Sequence, residues 1–277
     1  MRLKEFFCYT RQILVNNGID DAALEGELLL RQTLGIDRVQ FYQNLEQYIT
    51  KEQQDILRKL VQRRLRGEPW AYISSYSEFY GFDFYVNNNV LIPRPETEIL
   101  LDIILNLVQK HSRPCIADVG TGCGNIAISL ALNLPRANIC AIDISTPALK
   151  VAWLNCYRYG VANRIMLLHG DMLQPLLHPV NFIIANLPYV KHSELDNHSF
   201  EPQLAVDGGI DGLKNIRRLC NQIKGKLSPG GCLLIEIGKG QKEAVVSFLN
   251  KLFPTTRIEV MPDLGGIDRV VSMTLPR

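Results

Sequence analysis

The sequence contains no apolar run close to the roughly 18 to 20 residues that a membrane-spanning helix requires. Its first five residues, Met1–Glu5, do not open a signal-peptide core. Closely paired cysteines are also missing, because the seven cysteines are scattered and form no Cys-x-x-Cys motif. An odd number of scattered cysteines argues against a disulfide framework and a zinc site. We therefore expect a soluble cytoplasmic protein.

Two further features are scarce. The five histidines show no metal-ligand spacing, so no metal site is expected. The formal net charge is only +2, which gives no overall field for nucleic acid. A local basic cluster, defined as Arg58, Lys59, Arg63, Arg64 and Arg66, is typical of a solvated helix face.

The 277 residues predict a small domain followed by a larger one. Residues 1–66 have helical periodicity throughout, with Gly18 and Gly35 ending helices and a capping box at Thr50–Gln53. Residues 67–95 follow as a β-hairpin linker, in which Asn87–Asn89 is the predicted turn before a second strand at 90–92.

From residue 96 to 277 the pattern changes to alternating strands and helices. The strands are short apolar runs without polar alternation, as expected where both faces are buried: 116–119, 139–142, 165–168, 182–185 and 232–237. This alternation predicts a Rossmann-like α/β domain, a parallel sheet with helices on both faces. Residues 257–261 and 269–274 are expected to close the sheet, with at least one strand antiparallel.

The first of these strands leads into a glycine-rich loop with the sequence Asp118-Val119-Gly120-Thr121-Gly122-Cys123-Gly124. Asp143 ends the next strand 19 residues after Gly124, a spacing typical of an acid that binds a ribose. The ligand is then a dinucleotide or S-adenosylmethionine. Asp118 favours S-adenosylmethionine, since its carboxylate would repel a pyrophosphate and attract the ammonium group of a methionine moiety. Asp171 and Met172, after the third strand, are candidate adenine contacts.

A second motif, Asn186-Leu187-Pro188-Tyr189, follows the fourth strand. These residues could merely end a strand with a turn. Alternatively, the Asn186 side-chain oxygen and the Leu187 carbonyl accept the two hydrogens of a planar NH2 group, on which the Tyr189 ring stacks. Since both motifs lie at the carboxyl edge of the sheet, we predict methylation of an NH2 nitrogen by positioning and local electrostatics.

These motifs resemble those of the HemK/PrmC family. The resemblance rests on the following segments: Leu91–Glu98, Asp118–Gly124, Asp143–Ser145, Asn186–Tyr189, Glu201–Pro202 with Asp207–Gly209, and Asp268–Val271. It implies a class I S-adenosylmethionine-dependent methyltransferase domain behind a small N-terminal helical bundle. The implied activity is methylation of the glutamine N5 in the GGQ motif of class I peptide chain release factors, with S-adenosylhomocysteine as the other product.

The resemblance also implies roles for particular residues. Asn186, Leu187 through its carbonyl, Pro188 and Tyr189 would contact the glutamine, with Asn186 and Tyr189 catalytic. Arg94–Glu98 would help to close the site, and Glu201 would orient the substrate. The cofactor would contact Asp118, Gly120, Thr121, Gly122, Cys123, Gly124, Asp143, Asp171, Met172 and Asn186. The helical domain would dock the release factor, and we expect a monomer that needs no nucleic acid.

The chain departs from the family pattern Asn-Pro-Pro-Tyr at Leu187. A backbone carbonyl survives this change, but a fixed φ is lost, at a cost of about 0.4 to 1 kcal/mol in loop order. We therefore predict that Leu187→Pro retains activity and that Asn186→Ala abolishes it.

Three other functions are also compatible with the sequence. One is methylation of a ribosomal-protein glutamine, although that sister enzyme lacks the Pro95–Glu98 string. Another is methylation of an exocyclic amine in DNA or RNA, for which the basic cluster is the best support. The last is an adaptor without catalysis, with Leu187 as a sign of decay.

Overall fold

The structure is a computed structural model that describes residues 1–109, 112–196 and 199–277. Two compact units divide it, Met1–Ser75 and Tyr76–Arg277. Among the described residues, none of the helices combines the length and apolar character needed to cross a membrane.

The first unit is a bundle of five helices with a core of leucine, phenylalanine and isoleucine side chains. The helices are α1 Leu3–Asn16, α2 Ala22–Leu34, α3 Arg38–Gln43, α4 Lys51–Leu65 and α5 Trp70–Ser74. Gly35 ends α2 with a φ of 65°, and Thr50 and Gln53 form the capping box of α4. The unit extends nine residues beyond residue 66 because α5 buries Ile73 in the same core.

A hairpin opens the second unit, formed by β1 Tyr76–Phe79 and β2 Phe82–Tyr85. Its turn is Tyr80-Gly81, with φ of 53° and 75°, as a two-residue turn that matches the strand twist requires. The predicted position of the hairpin turn at 87–89 was wrong. Those asparagines do form a turn, but residues 90–92 after it form no strand.

The larger part of the second unit alternates helices and strands. Its elements are α6 Glu98–Val108, β3 Cys115–Val119, α7 Asn125–Asn133, β4 Asn138–Asp143, α8 Thr146–Arg158, β5 Ile165–His169, β6 Val180–Ala185, α9 Gln203–Val206, α10 Lys214–Cys220, β7 Leu227–Glu236, α11 Lys242–Leu252, β8 Arg257–Pro262 and β9 Asp268–Thr274. Short 3-10 helices lie at Pro95–Thr97 and His192–Glu194. All five predicted strands are present, but β5, at the edge of the sheet, is not buried on both faces, and its Met166 is exposed.

The seven strands form one sheet in the order β5-β4-β3-β6-β7-β9-β8. Strands β3 to β7 are parallel, and β9 runs antiparallel to both neighbours, as predicted for the closing strands. The Rossmann-like fold class is therefore confirmed. The strand order reverses between β3 and β6, and such a switch point leaves a crevice at the carboxyl ends of the strands. Both predicted motifs follow these two strands.

Candidate active site

The glycine loop turns sharply after β3 because its three glycines adopt positive φ. Gly120, Gly122 and Gly124 have φ of 76°, 56° and 84°. The amides of Gly120 and Thr121 both donate to the Ile142 carbonyl, at 2.9 and 3.0 Å. A Cβ on Gly122 would meet no atom within 4 Å, and Gly122 lines the crevice. The loop therefore presents bare backbone to a ligand.

Asp143 lies at the end of β4, beside the glycine loop. One carboxylate oxygen accepts from the Gly122 amide at 2.9 Å, and the other accepts from the Ser145 amide at 2.8 Å. Burial raises the pKa of Asp143. Since a carboxylate has about four lone-pair sites, it retains two acceptors for further hydroxyl groups. Asp143 and the open glycine loop thus fit the ribose of S-adenosylmethionine.

Asp118 occupies a different position from the one that a direct ligand contact requires. Its side chain is fully buried and does not form part of the crevice wall. Oδ2 accepts from the Thr121 hydroxyl at 2.6 Å and from the Ala127 amide at 3.2 Å, whereas Oδ1 has no partner. Burial raises the pKa of Asp118 to about 7. In this geometry the carboxylate holds the glycine loop against α7.

Cys123 and Gly124 complete the loop on its packed side. Burial raises the pKa of the Cys123 thiol to about 12, so the thiol stays neutral. A Cβ on Gly124 would lie 3.3 Å from the Cβ of Ala152 on α8, which explains the need for glycine there. The Cys123 carbonyl accepts from Asn155 Nδ2 at 2.9 Å. Asn155 also exchanges hydrogen bonds with the Tyr85 backbone, at 2.8 and 2.9 Å.

Asn155 is fully buried and joins the hairpin, α8 and the glycine loop. Its role is not visible in the sequence, because a single asparagine within a helical pattern gives no signal of its partners.

Asp171 and Met172, after β5, also line the crevice. Asp171 pairs with Arg218 of α10 at 2.6 Å. Met172 has a φ of 52°, which is unusual for a residue with a side chain. The described geometry therefore brings both predicted adenine contacts to the same crevice as the glycine loop.

Asn186 and Leu187 lie across the switch point from the glycine loop. Asn186 Nδ2 donates to the Thr97 hydroxyl at 2.9 Å. The Pro188 carbonyl accepts from Asn215 at 3.1 Å, and the Tyr189 carbonyl accepts from Gln241 at 3.0 Å. Within the described part of the chain, the Leu187 carbonyl and Asn186 Oδ1 accept no hydrogen bond. Two acceptors thus remain for a ligand.

Behind this loop, a buried acid connects the two predicted catalytic residues. Thr97 donates to Glu236 Oε2 at 2.7 Å, and the Tyr189 hydroxyl donates to Glu236 Oε1 at 3.2 Å. Burial raises the pKa of Glu236. Burial and the charge of Glu236 raise the pKa of Tyr189 to about 12. Glu236 is not among the predicted site residues, because it ends the apolar strand β7 far along the chain from Asn186 and Tyr189.

Glu201 ties the segment before α6 to the loop after β6. Its Oε1 accepts from the Ile92 amide at 3.0 Å, and its Oε2 pairs with Arg94 at 2.5 Å. Arg94 lines the crevice, whereas Glu201 does not. Farther along the same segment, Glu98 accepts from the Tyr80 amide at 2.7 Å.

Of the predicted site residues, eleven form the crevice wall: Arg94, Gly120, Thr121, Gly122, Cys123, Asp143, Asp171, Met172, Asn186, Leu187 and Pro188. Four others stand behind the wall: Asp118, Gly124, Tyr189 and Glu201. No group of three potential metal ligands meets among the described residues. His111 and His198 lie outside the described residues.

Comparison with known proteins places this site in a family. The PrmC N-terminal domain model matches residues 7–74, and the methyltransferase small domain model matches residues 96–205. The release factor glutamine methyltransferase of Moorella thermoacetica is 38% identical over 262 residues, which cover 92% of each chain. That of Neisseria gonorrhoeae is 39% identical over 254 residues, which cover 89% of this chain and 91% of the relative.

Solved structures show the fold alone. A methyltransferase from Pyrococcus furiosus superposes with a TM-score of 0.55 at 14% identity, over 78% of this chain and 99% of that one. A ribosomal protein methylase from Lactobacillus delbrueckii superposes with a TM-score of 0.51 at 18% identity, over 69% of this chain and 83% of that one. On the sequence matches over nearly its full length, this chain belongs to the release factor glutamine methyltransferase family.

Proposed function

We propose that this protein transfers a methyl group from S-adenosylmethionine to the side-chain amide nitrogen, N5, of the glutamine in the GGQ motif of class I peptide chain release factors. The observation that carries the proposal is the pair of acceptors, Asn186 Oδ1 and the Leu187 carbonyl, without partners in the described residues. They match the two N–H hydrogens of a primary carboxamide.

These acceptors would make the amide nitrogen, which is a weak nucleophile, more reactive. Its nitrogen lone pair is delocalised into the carbonyl, so two strong acceptors on the N–H hydrogens increase electron density at nitrogen and fix its orientation. Positioning and local electrostatics then carry the chemistry. Tyr189 stays neutral at physiological pH, since its pKa is raised to about 12, and it would support the amide site from behind the crevice wall.

S-adenosylmethionine, when bound, supplies an electrophilic methyl group. The backbone of Gly120–Gly122 would hold it together with Asp143, Asp171 and Met172, all of which line one crevice. Asp118 would support this binding by fixing Thr121 and the start of α7. Asn186, which follows the neighbouring strand β6, would bring the amide to the same crevice.

The helical unit is proposed to dock the release factor, in keeping with the match of residues 7–74 to the PrmC N-terminal domain. Translation takes place in the cytoplasm, which is the expected location. A monomer is sufficient for the proposed reaction, because every proposed site residue belongs to one unit of one chain.

Nucleic acid is less well supported as the substrate, because three arginines of the basic cluster have acidic partners. Arg63 pairs with Glu68 and Arg64 with Glu25, both at 2.6 Å, and Arg58 pairs with Asp55 at 3.1 Å. Guanidinium groups that are paired in this way stabilise the helical bundle and are less available to bind phosphate groups.

Transfer of a labelled methyl group from S-adenosylmethionine tests the proposal. Purified class I release factor, ribosomal protein and DNA would be compared at equal concentration. Label in the release factor, lost when the GGQ glutamine is replaced by alanine, is the expected result. Label in ribosomal protein or DNA alone would contradict it. Release factor binding without any transfer would support the adaptor function instead.

A further inference from the structure

Two buried side chains, Glu236 and Thr97, connect Asn186 to Tyr189 through hydrogen bonds. Glu236 and Thr97 are each 1% exposed. Glu236 Oε2 and the Thr97 oxygen are 2.7 Å apart, and the Thr97 oxygen and Asn186 Nδ2 are 2.9 Å apart. The other oxygen of Glu236 accepts from the Tyr189 hydroxyl at 3.2 Å. One carboxylate thus contacts Tyr189 directly and is linked to Asn186 through Thr97.

The number of protons in this chain fixes its direction. An ionised Glu236 only accepts, so Thr97 must then use its single hydroxyl hydrogen for Glu236. The Thr97 oxygen can then only accept, and it must take a hydrogen from the NH2 end of Asn186. The Asn186 oxygen consequently points away from Thr97. The same reasoning makes the Tyr189 hydroxyl a donor to Glu236.

We propose that Glu236 is a positioning residue for methyl transfer, which through Thr97 fixes the Asn186 amide with its oxygen available to the substrate, and which directly fixes the Tyr189 ring. The proposal rests on the proposed function, because the substrate group at Asn186 is taken to be a carboxamide. The proposal for Glu236 goes beyond the proposed function, because it assigns the orientation of the Asn186 amide to a residue that does not contact the substrate.

A neutral amide at position 236 removes this control. Glutamine can turn its NH2 group towards Thr97, and the threonine hydrogen is then free to donate to the oxygen of a flipped Asn186. An acceptor for the substrate would be replaced by a donor that repels its N–H. Hydrogen bonds in a buried chain also polarise one another, so loss of the charge weakens the remaining acceptor.

The kinetic test uses Glu236→Gln, Thr97→Val, the double variant and the conservative Thr97→Ser. We expect each single loss to lower kcat about 10- to 100-fold, in the range of a misplaced reactive group, with S-adenosylhomocysteine affinity much less affected. The double variant should be no worse than Glu236→Gln alone, since Thr97 acts through Glu236. Thr97→Ser should retain activity. Glu259→Gln, on the exposed β8, is the matched control.

Several outcomes would overturn the inference. They are an unchanged kcat in Glu236→Gln, a double variant whose loss is the product of the single losses, or loss of activity in Thr97→Ser. If Glu236→Gln does not fold, judged by its circular dichroism and thermal midpoint, the pair Thr97→Val and Thr97→Ser tests the same path through the hydroxyl alone.

A measurement without turnover separates this inference from the proposed function. The side-chain NH2 signals of Asn186, assigned by their loss in Asn186→Ala, can be followed by nuclear magnetic resonance. We expect Glu236→Gln to shift or broaden them and Glu259→Gln to leave them unchanged. Unmoved signals would refute the hydrogen-bonded path from Glu236 to Asn186 even if the enzyme methylates release factor. Shifted signals would support it even if the substrate proves to be another amine.

Discussion

The glycine loop after β3 and the Asn186–Tyr189 loop after β6 lie at the same edge of the sheet but are held by different means. Glycine conformations and nearby partners hold the first: Asp143 is 21 residues from Gly122, and Asn155 is 32 residues from Cys123. The second depends on side chains from distant elements, with Thr97 89 residues from Asn186 and Gln241 52 residues from Tyr189.

Because of this difference, we expect substitutions in the two loops to affect different properties of the enzyme. The glycine loop presents backbone atoms, so its shape depends on φ and on the supports behind it. The Asn186–Tyr189 loop combines a side-chain acceptor with a carbonyl, so its chemistry depends on which end of one amide faces the substrate. Changes in the first should alter stability and cofactor affinity, and changes in the second should alter turnover.

The largest expected effect is on turnover. Asn186→Ala removes one of the two acceptors and should lower kcat by about 100-fold or more, comparable to loss of a transition-state hydrogen bond. Methyl transfer to release factor, with S-adenosylhomocysteine binding measured by calorimetry, checks this. Asn163→Ala, at an exposed asparagine after α8, is the control. Retained turnover in Asn186→Ala would refute the amide site.

Asn155→Ala should have the largest effect on the glycine loop. It removes three hydrogen bonds and leaves buried backbone groups of Tyr85 and Cys123 unpaired. The free energy of unfolding should fall by about 3 kcal/mol. Urea denaturation measures this, with Asn106→Ala as the control, because the exposed Asn106 bonds only within its own helix. Equal losses in the two variants would show that Asn155 is not a special support.

Asp118→Asn should change how stability depends on pH. Burial raises the pKa of Asp118 from 3.8 to about 7, so folding favours its protonated form. This contribution is fully present below about pH 4 and is lost as the pH rises through about 7. Asparagine has no proton to lose. Relative to the variant, the wild type should therefore lose on the order of 1 to 4 kcal/mol between these limits.

Urea unfolding of both proteins at about pH 5 and about pH 8 measures this difference. A stability difference between wild type and Asp118→Asn that is the same at both pH values would contradict the assignment of a buried, titrating carboxyl group.

The smallest effect is expected for Leu187→Pro. The side chain of Leu187 is 3% exposed, and its Cδ2 is 3.1 Å from the position that a Gly120 Cβ would occupy. Loss of the leucine side chain should lower the free energy of unfolding by about 1 kcal/mol. Proline partly offsets this loss because it restricts the unfolded chain. The carbonyl stays in place, so kcat should remain within about threefold of the wild type. Thermal unfolding and methyl transfer assays check both values, and complete loss of turnover would contradict the backbone role.

The sequence predicted the fold well because the central parallel strands are buried on both faces and therefore read as short apolar runs. The edge strands β5 and β8 are more exposed, and β8 alternates polar and apolar residues. The hairpin turn was misplaced because Asn87–Asn89 is a stronger turn signal than Tyr80-Gly81, where Tyr80 adopts a φ of 53° that its residue type rarely shows. The register of aromatic strands with similar alternation cannot be deduced from composition.

The sequence by itself determined which two loops meet at the crevice, because glycines after one strand and a polar loop after another must share the carboxyl edge of a parallel sheet. Only the tertiary structure decided how they are held. It placed Asp118 behind the crevice wall and joined Thr97, Asn186, Tyr189 and Glu236 in one hydrogen-bonded set. Local patterns encode strands and turns, whereas the partner of a buried polar group is chosen by packing between distant segments.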